Sequence, residues 1–246
     1  VPTGLDAPPP GYGPKPPRRR GWHWLLAAAA VMALAVVVGP FVYFHFVEGT
    51  TPARLQLPAA TVGQAARSGP LGGIWTVTAG SEAGYRVRET LFGQSHTAVG
   101  RTSKVSGQML ISGTSVEAAV FQVDVGSIRS DQASRDAQFH GFIMESYKYH
   151  DAGFRLTHPI PFGSVPAPGR VVTAGATGML TMRGVTRSVT FPVLAEHLAG
   201  AVDVNAEIPV RFSDWHIPNP TFAIAQVGDT GVIEVLLHLV PGTSAP

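Results

Sequence analysis

Across residues 201–212 the chain alternates without a break. Val202, Val204, Ala206, Ile208, Val210 and Phe212 fall on one side; Asp203, Asn205, Glu207, Pro209 and Arg211 fall on the other. A period of two belongs to an extended strand with one apolar face and one wet face, and no helix sorts residues this way. At about 3.3 Å per residue such a strand spans on the order of 35 Å, longer than the average.

The same pattern recurs from Leu71 onward. Residues 73–79 place Trp75 with Val77, and residues 84–90 set Tyr85 and Val87 opposite Arg86 and Arg88. Residues 104–111 and 115–125 flank Ser112-Gly113-Thr114, a hairpin signal. Strands are also predicted over 171–182, 188–197 and 230–240, with Ala199-Gly200 as a turn, and a shorter one over 151–156. One short helix is expected, over 131–142, with Ser130 as its N-cap. Long strands, repeated turns and little helix predict an all-β antiparallel sandwich or barrel; the strand length favours a barrel, because closure removes exposed edges.

The 246 residues include no cysteine. Disulfides, zinc–thiolate sites and thiol catalysis are therefore excluded, and the β-domain has to be held by its own apolar core. The chain is basic overall, with a pI near 9.2. Residues 71–246 nevertheless carry 12 Lys and Arg against 14 Asp and Glu, a net of −2. The basic excess lies before the β-domain, where it serves topology or anionic lipid headgroups rather than a nucleic-acid surface.

That basic segment ends in Arg18, Arg19 and Arg20, directly ahead of an apolar run over 24–47 that holds no acidic or basic side chain except His45. A bilayer core of ~30 Å needs about 20 apolar residues in a helix. The arginine flank predicts residues 1–21 as a disordered, Pro- and Arg-rich cytoplasmic tail, residues 22–47 as a single transmembrane helix kinked at Pro40, and everything after as extracytoplasmic. A cleaved signal peptide is the competing reading, but its apolar core is shorter and ends in small residues, whereas this run ends FVYFHF. The expected location is the plasma membrane. Residues 48–71 read as a Pro-, Ala- and Gly-rich linker and residues 72–241 as the β-domain.

Catalytic signatures are missing: no nucleophile elbow, no Walker A loop, and nine histidines without metal-ligand spacing. No catalytic residue, metal or cofactor is assigned. The unusual segment is 127–156, where Arg129, Asp131, Arg135 and Asp136 interleave ahead of Phe139, Phe142, Tyr147, Tyr149 and Phe154. An Arg–Asp pair there either braces a loop over the end of a barrel or receives an anionic headgroup, since guanidinium forks bind phosphate.

This segment resembles the "SI-x-T … RD" loop of the YceI-like family of polyisoprenoid-binding proteins, through Ser127, Ile128, Asp131, Arg135, Asp136, Phe139 and Phe154. Residues 178–189, GMLTMRGVTRSV, resemble the family's "G-x-L-T-x-x-G-V-T-R-x-V". Weaker matches follow in order at Trp75, at 81–88 (SEAGYRVR) and at 212–217 (FSDWHI), so the resemblance covers about 72–240. Glu89 departs from the family's frequent His, and the anchor makes the chain resemble a membrane-anchored, actinobacterial-type member rather than the more usual secreted form. The resemblance implies an extended lipocalin-like barrel whose lumen holds a long-chain isoprenoid or similar amphiphilic lipid.

The expected function is thus a membrane-anchored binding protein or carrier for a polyisoprenoid, polyprenyl phosphate or isoprenoid quinone. Candidate lumen residues are Phe121, Val123, Phe139, Phe142, Phe154, Met182, Phe191, Val210 and Phe212, with Phe139 and Phe142 closing one end and Arg135 as the headgroup contact. The alternatives are a packed barrel that docks an envelope partner, and an enzyme on lipid-linked substrates using His140, His150 and Asp136.

Overall fold

The structure, a computed structural model, describes residues 22–42, 51–58, 70–91, 93–198, 200–221 and 225–242. The tail over 1–21 and the linker over 59–69 lie outside the described residues. The chain divides into two compact units, Val1–Val47 and Glu48–Pro246. The first contains α1 (Trp22–Val42), which continues as helix through Pro40. Its side chains are exposed over 24–36, and no helix among the described residues is long and apolar enough to cross a membrane.

The second unit is a closed antiparallel barrel. Its strands are β1 (Gly73–Val77), β2 (Glu82–Leu91), β3 (Gln94–Thr102), β4 (Val105–Ser112), β5 (Ser115–Asp124), the two-residue β6 (Arg129–Ser130) and β7 (Asp151–Leu156). They continue with the two-residue β8 (Ile160–Pro161), β9 (Val172–Met182), β10 (Val185–Leu198), β11 (Ala201–Arg211), β12 (Ala225–Val227) and β13 (Thr230–Pro241). Eight of them form the ring in the order β1-β4-β5-β7-β9-β10-β11-β13, and β13 returns to β1. β2, β3 and β6 extend from β13 beyond the ring.

Closure depends on one bent hairpin. β1 and β2 follow each other along a single edge of β13: Val232–Leu236 of β13 pair with β2, and Leu239–Pro241 pair with β1. β3 and β4 mirror this bend on the other arm, so Leu91 faces Gln94 near the turn and Thr76 faces Gln108 far from it. At the bend Gly80 takes φ +97°, a region open to glycine. Fully buried Ser81 repairs the interrupted ladder there: His238 N donates to its Oγ at 2.9 Å, and that Oγ donates to Thr78 O at 2.9 Å.

The predicted strands all form, within a few residues of the expected ends. β3 was not foreseen. Its sequence QSHTAVGRT has few large apolar residues, and its burial over Ala98–Gly100 comes from packing rather than composition. The helix is shorter than expected: α2 spans Ala133–Gln138 and opens into a π turn over Phe139–Ile143. Its N-cap is Gln132, without a side-chain cap bond, and not Ser130. Ser130 instead donates from its backbone N (2.8 Å) and its hydroxyl (2.7 Å) to Asp136.

The linker is not free along its whole length. Residues 51–58 lie on the outer face of the β11–β13–β2–β3 sheet. Asn205 Nδ2 donates to Leu55 O at 3.0 Å, Arg86 Nη2 donates to Pro52 O at 2.9 Å, and Arg101 donates to Ala53 O. Beneath this strap lies Glu234, 1% exposed, which accepts from Arg86 Nε at 2.5 Å and Arg101 Nη2 at 2.9 Å. Burial pushes the Glu234 carboxyl up, but the two guanidinium hydrogen bonds outweigh it and hold the net pKa below the usual 4.5.

Because the folded-state pKa is depressed, this acid contributes stability that is complete above pH ~4.5 and lost as pH falls through the folded value. Glu234→Ala leaves two arginines without their acid and is expected to cost roughly 3–5 kcal/mol in denaturant titrations at pH 7. Glu234→Gln should also be less stable at pH 7, with the difference from wild type shrinking toward pH 3.

Candidate functional site

The inward faces of the long strands leave an apolar cavity of about 200 Å³ inside the barrel. Its floor is the face anticipated on β11: Val202, Val204, Ala206 and Ile208 all line it. Opposite β11, in register, β10 contributes Val193, Ala195 and His197. Phe121 and Val123 of β5 and Phe154 of β7 complete the wall. The rings of Phe154 and Phe191 meet edge-on with centroids 5.3 Å apart, a preferred aromatic geometry.

Of the residues selected from sequence, Phe121, Val123, Phe154 and Phe191 therefore line the cavity. Met182 and Val210 are buried in the cluster that also holds Phe139 and Trp215, and none of these lines the cavity. Phe212 has left strand β11, begins a 3₁₀ turn and packs half-buried against the same cluster. Phe139, Met182, Val210 and Phe212 thus plug an end rather than line the lumen. Phe142 does neither: its side chain is 57% exposed, because the π turn rotates it away from Phe139.

The plug is built from the family-like motifs. Phe139 stacks on Tyr85 at 4.8 Å, and Trp215 Nε1 donates to Leu180 O at 3.3 Å. Ser127 Oγ and Thr102 Oγ1 share a 2.6 Å hydrogen bond that ties the loop to β3. Arg135 pairs with Glu89 at 3.2 Å and with Asp131, so its charge is already engaged at the plugged end, and it is not among the cavity's lining residues. Burial works against its charge, yet Glu89 and Asp131 raise its pKa overall. Glu89, a departure from the family pattern, is thus a partner of Arg135. Burial likewise raises the pKa of Tyr85 beneath this group.

Two of the residues weighed for catalysis, Asp136 and His140, serve the same brace with their side chains. Asp136 accepts from Ser130, and His140 Nε2 lies 2.7 Å from Arg129 Nη1 and 2.9 Å from Ile128 O. His150 O accepts from Val125 N at 2.8 Å. Among the described residues no group of three or more His, Asp and Glu converges as a metal site.

Gly178, the first residue of the second motif, has a steric role. A Cβ there would lie 2.4 Å from both Arg155 O and the Phe154 ring. Glycine is what lets that ring lie across β9. Further along, Thr181 and Thr186 share a hydroxyl hydrogen bond of 2.8 Å across the turn, and Gly184 adopts φ +74°.

The family profile of the YceI-like domain matches residues 75–239, two thirds of the chain and nearly all of the barrel. The chain belongs to the YceI-like family. Among solved structures, a polyisoprenoid-binding domain from Saccharophagus degradans implicated in plant cell wall breakdown is similar at 13% identity and TM-score 0.55, covering 69% of this chain and 99% of that one. BcnA of Burkholderia cenocepacia is similar at 22% identity and TM-score 0.51, covering 66% and 98%. At these identities the likeness is one of fold. No curated protein sequence matches the chain.

Sequence reasoning missed two parts of the cavity. One is the β8–β9 loop over 162–171, which contributes Phe162, Pro166 and Arg170; its Pro- and Gly-rich sequence carries no periodicity. The other is the pair Glu196 and His197 at the end of β10, for which continued alternation from Phe191 through Val193 and Ala195 was the available signal for His197.

Gly178→Ala is expected to lower stability by roughly 1–3 kcal/mol through overpacking. Gly175→Ala on the same strand, where an added Cβ meets nothing within 4 Å, should leave Tm unchanged or slightly raised. Paired thermal melts of the two variants check this.

Proposed function

We propose that this YceI-like protein binds or carries a long apolar lipid, of the polyisoprenoid class, in the barrel lumen. The observation that supports it is the cavity itself. It runs among aliphatic and aromatic side chains inside a closed sheet, where a packed module would have core. Apolar surface removed from water there contributes ~25 cal/mol per Å², less the cost of ordering the chain. An enclosed apolar cavity of even ~150 Å³ stays dry and accepts small apolar guests. The name of the Saccharophagus neighbour is in keeping with this chemistry.

The reading is non-catalytic. Asp131, Asp136 and His140 are occupied in hydrogen bonds that fix the plug, the bracing role that sequence allowed for the Arg–Asp pair.

The proposal extends to place. The run over 24–47 with three arginines before it is suited to a single-pass anchor with a cytoplasmic N-terminus, and its described part folds as the helix α1. The barrel would then face lipids of the outer leaflet of its own plasma membrane. Protease added to intact spheroplasts should digest the barrel and spare an N-terminal epitope tag; the opposite pattern contradicts the assignment.

Lipid extraction of purified full-length protein followed by mass spectrometry should return a long-chain isoprenoid. Val193→Trp fills the lumen from a half-buried position and is expected to abolish uptake of a fluorescent polyprenyl analogue while the far-UV spectrum stays unchanged. A wild-type barrel that yields no lipid and takes up no analogue would overturn the binding reading in favour of a packed interaction module.

A further inference from the structure

The cavity lining is apolar except at one end. There, Arg170, Glu196 and His197 are the side chains with polar atoms. His197 is 5% exposed, and its Nε2 is buried without a hydrogen-bond partner. A native barrel rarely leaves a ring nitrogen unpaired, because doing so forfeits the hydrogen bond that water would have supplied. The ring is also held in place. Strand register carries it inward opposite Val202, the edge of Trp75 meets it at 5.8 Å, and its own carbonyl accepts from Gly169 N at 2.9 Å. Trp75 is fixed in turn by donating from Nε1 to Leu71 O at 2.7 Å. The result is a held, unpaired polar atom at the end of an apolar cavity that Arg135 does not line.

We propose that His197 is the headgroup contact of this lumen and that it selects an uncharged oxygen head, a hydroxyl or a carbonyl, on a long apolar chain. This deepens the lipid-binding reading above and rests on it.

The surroundings set the charge class. Burial lowers the pKa of the imidazole, so at neutral pH the ring is neutral and offers a donor nitrogen and an acceptor nitrogen. Such a ring serves an alcohol in either direction and serves a carbonyl as donor. The acid at this end opposes an anion: Glu196 lines the cavity, buried beside Gly169 of the loop. Arg170 is the cation of the lining, and it lies exposed on the loop. A phosphate head, with a charge near −2, would bring like charge against Glu196 in a site with low dielectric. A neutral oxygen satisfies Nε2 without that conflict.

The test uses full-length protein in nanodiscs and four probes: geranylgeraniol, a prenylated benzoquinone, geranylgeranyl phosphate and squalene, which has no head. Wild type is expected to prefer the alcohol or the quinone over the phosphate, and the two neutral arms tell a hydroxyl from a carbonyl. His197→Phe keeps the ring volume and should weaken the preferred neutral probe about three- to tenfold, the loss of one hydrogen bond. Its squalene affinity should be unchanged, which also reports an intact lumen. Should this variant not fold, the wild-type protein still decides. The His197 ring-nitrogen resonance should shift on adding the preferred neutral probe and stay put on adding squalene.

Equal weakening of every probe by His197→Phe, tighter binding of the phosphate, or a specific loss caused by Arg135→Ala instead would overturn the assignment while leaving lipid binding in place. Binding of none of the four probes by wild type would sink the lipid reading itself, and the headgroup assignment with it.

Discussion

Strand β13 has two partners on one of its edges, and the barrel depends on that arrangement. With β11 along its other edge, it takes β2 over its first half and β1 over its end. The exchange leaves a backbone group unpaired at the crossing, which the Ser81 hydroxyl satisfies. Without the bend, the first hairpin would run straight past the ring, β1 would not meet β13, and both strands would be left with an open edge. Closure turns those apolar faces into a lumen. The bend also sends β2 and β3 outward, where the 127–150 segment fills the widened end.

The two ends of the lumen consequently differ in physics. One is plugged by interlocked rings and braced by ion pairs: Phe139 on Tyr85, Trp215 against Leu180, Arg135 between Glu89 and Asp131. Its ion-paired groups are well partnered, although Arg183 Nε is buried without an acceptor, and its apolar groups are packed as a core. At the other end a Pro- and Gly-rich loop crosses the rim, and a buried imidazole nitrogen is left without a partner. Ring packing and ion pairs mark the first end, and the unpaired polar atom of the cavity lining marks the second. That asymmetry suits the proposed binding of an amphiphile, whose chain would point toward the plug and whose head would sit at the rim.

The outer face carries a third constraint. Asn205 and Glu234 point away from the lumen and are nevertheless buried, because residues 51–58 lie over them and supply backbone carbonyls to Asn205, Arg86 and Arg101. An acid between two arginines is costly to bury unless each remaining donor finds an acceptor. The strap provides an acceptor to one Nη of each arginine, while Arg101 Nε stays unpaired, so the segment that leads toward the barrel is part of its packing.

The local pattern of this sequence determined the strands, because each needs only its own alternation to declare one apolar face. Residues 201–212 are the clearest instance, and the register confirms the face they chose. The ordered motifs determined the barrel type. Pattern did not separate lumen from plug: Phe191 and Met182 read alike in sequence, and only their depth along the closed sheet makes one a wall and the other a stopper. β3 was hidden because small residues packed under a loop leave no hydrophobic period. Phe142 was misjudged because a π turn shifts side-chain phase by a residue that helical periodicity does not count. The strap, the Glu234 cluster and the unpaired His197 were decided by tertiary structure alone. Each arises where segments far apart in sequence meet, and burial of a polar group is a property of that meeting rather than of the residue.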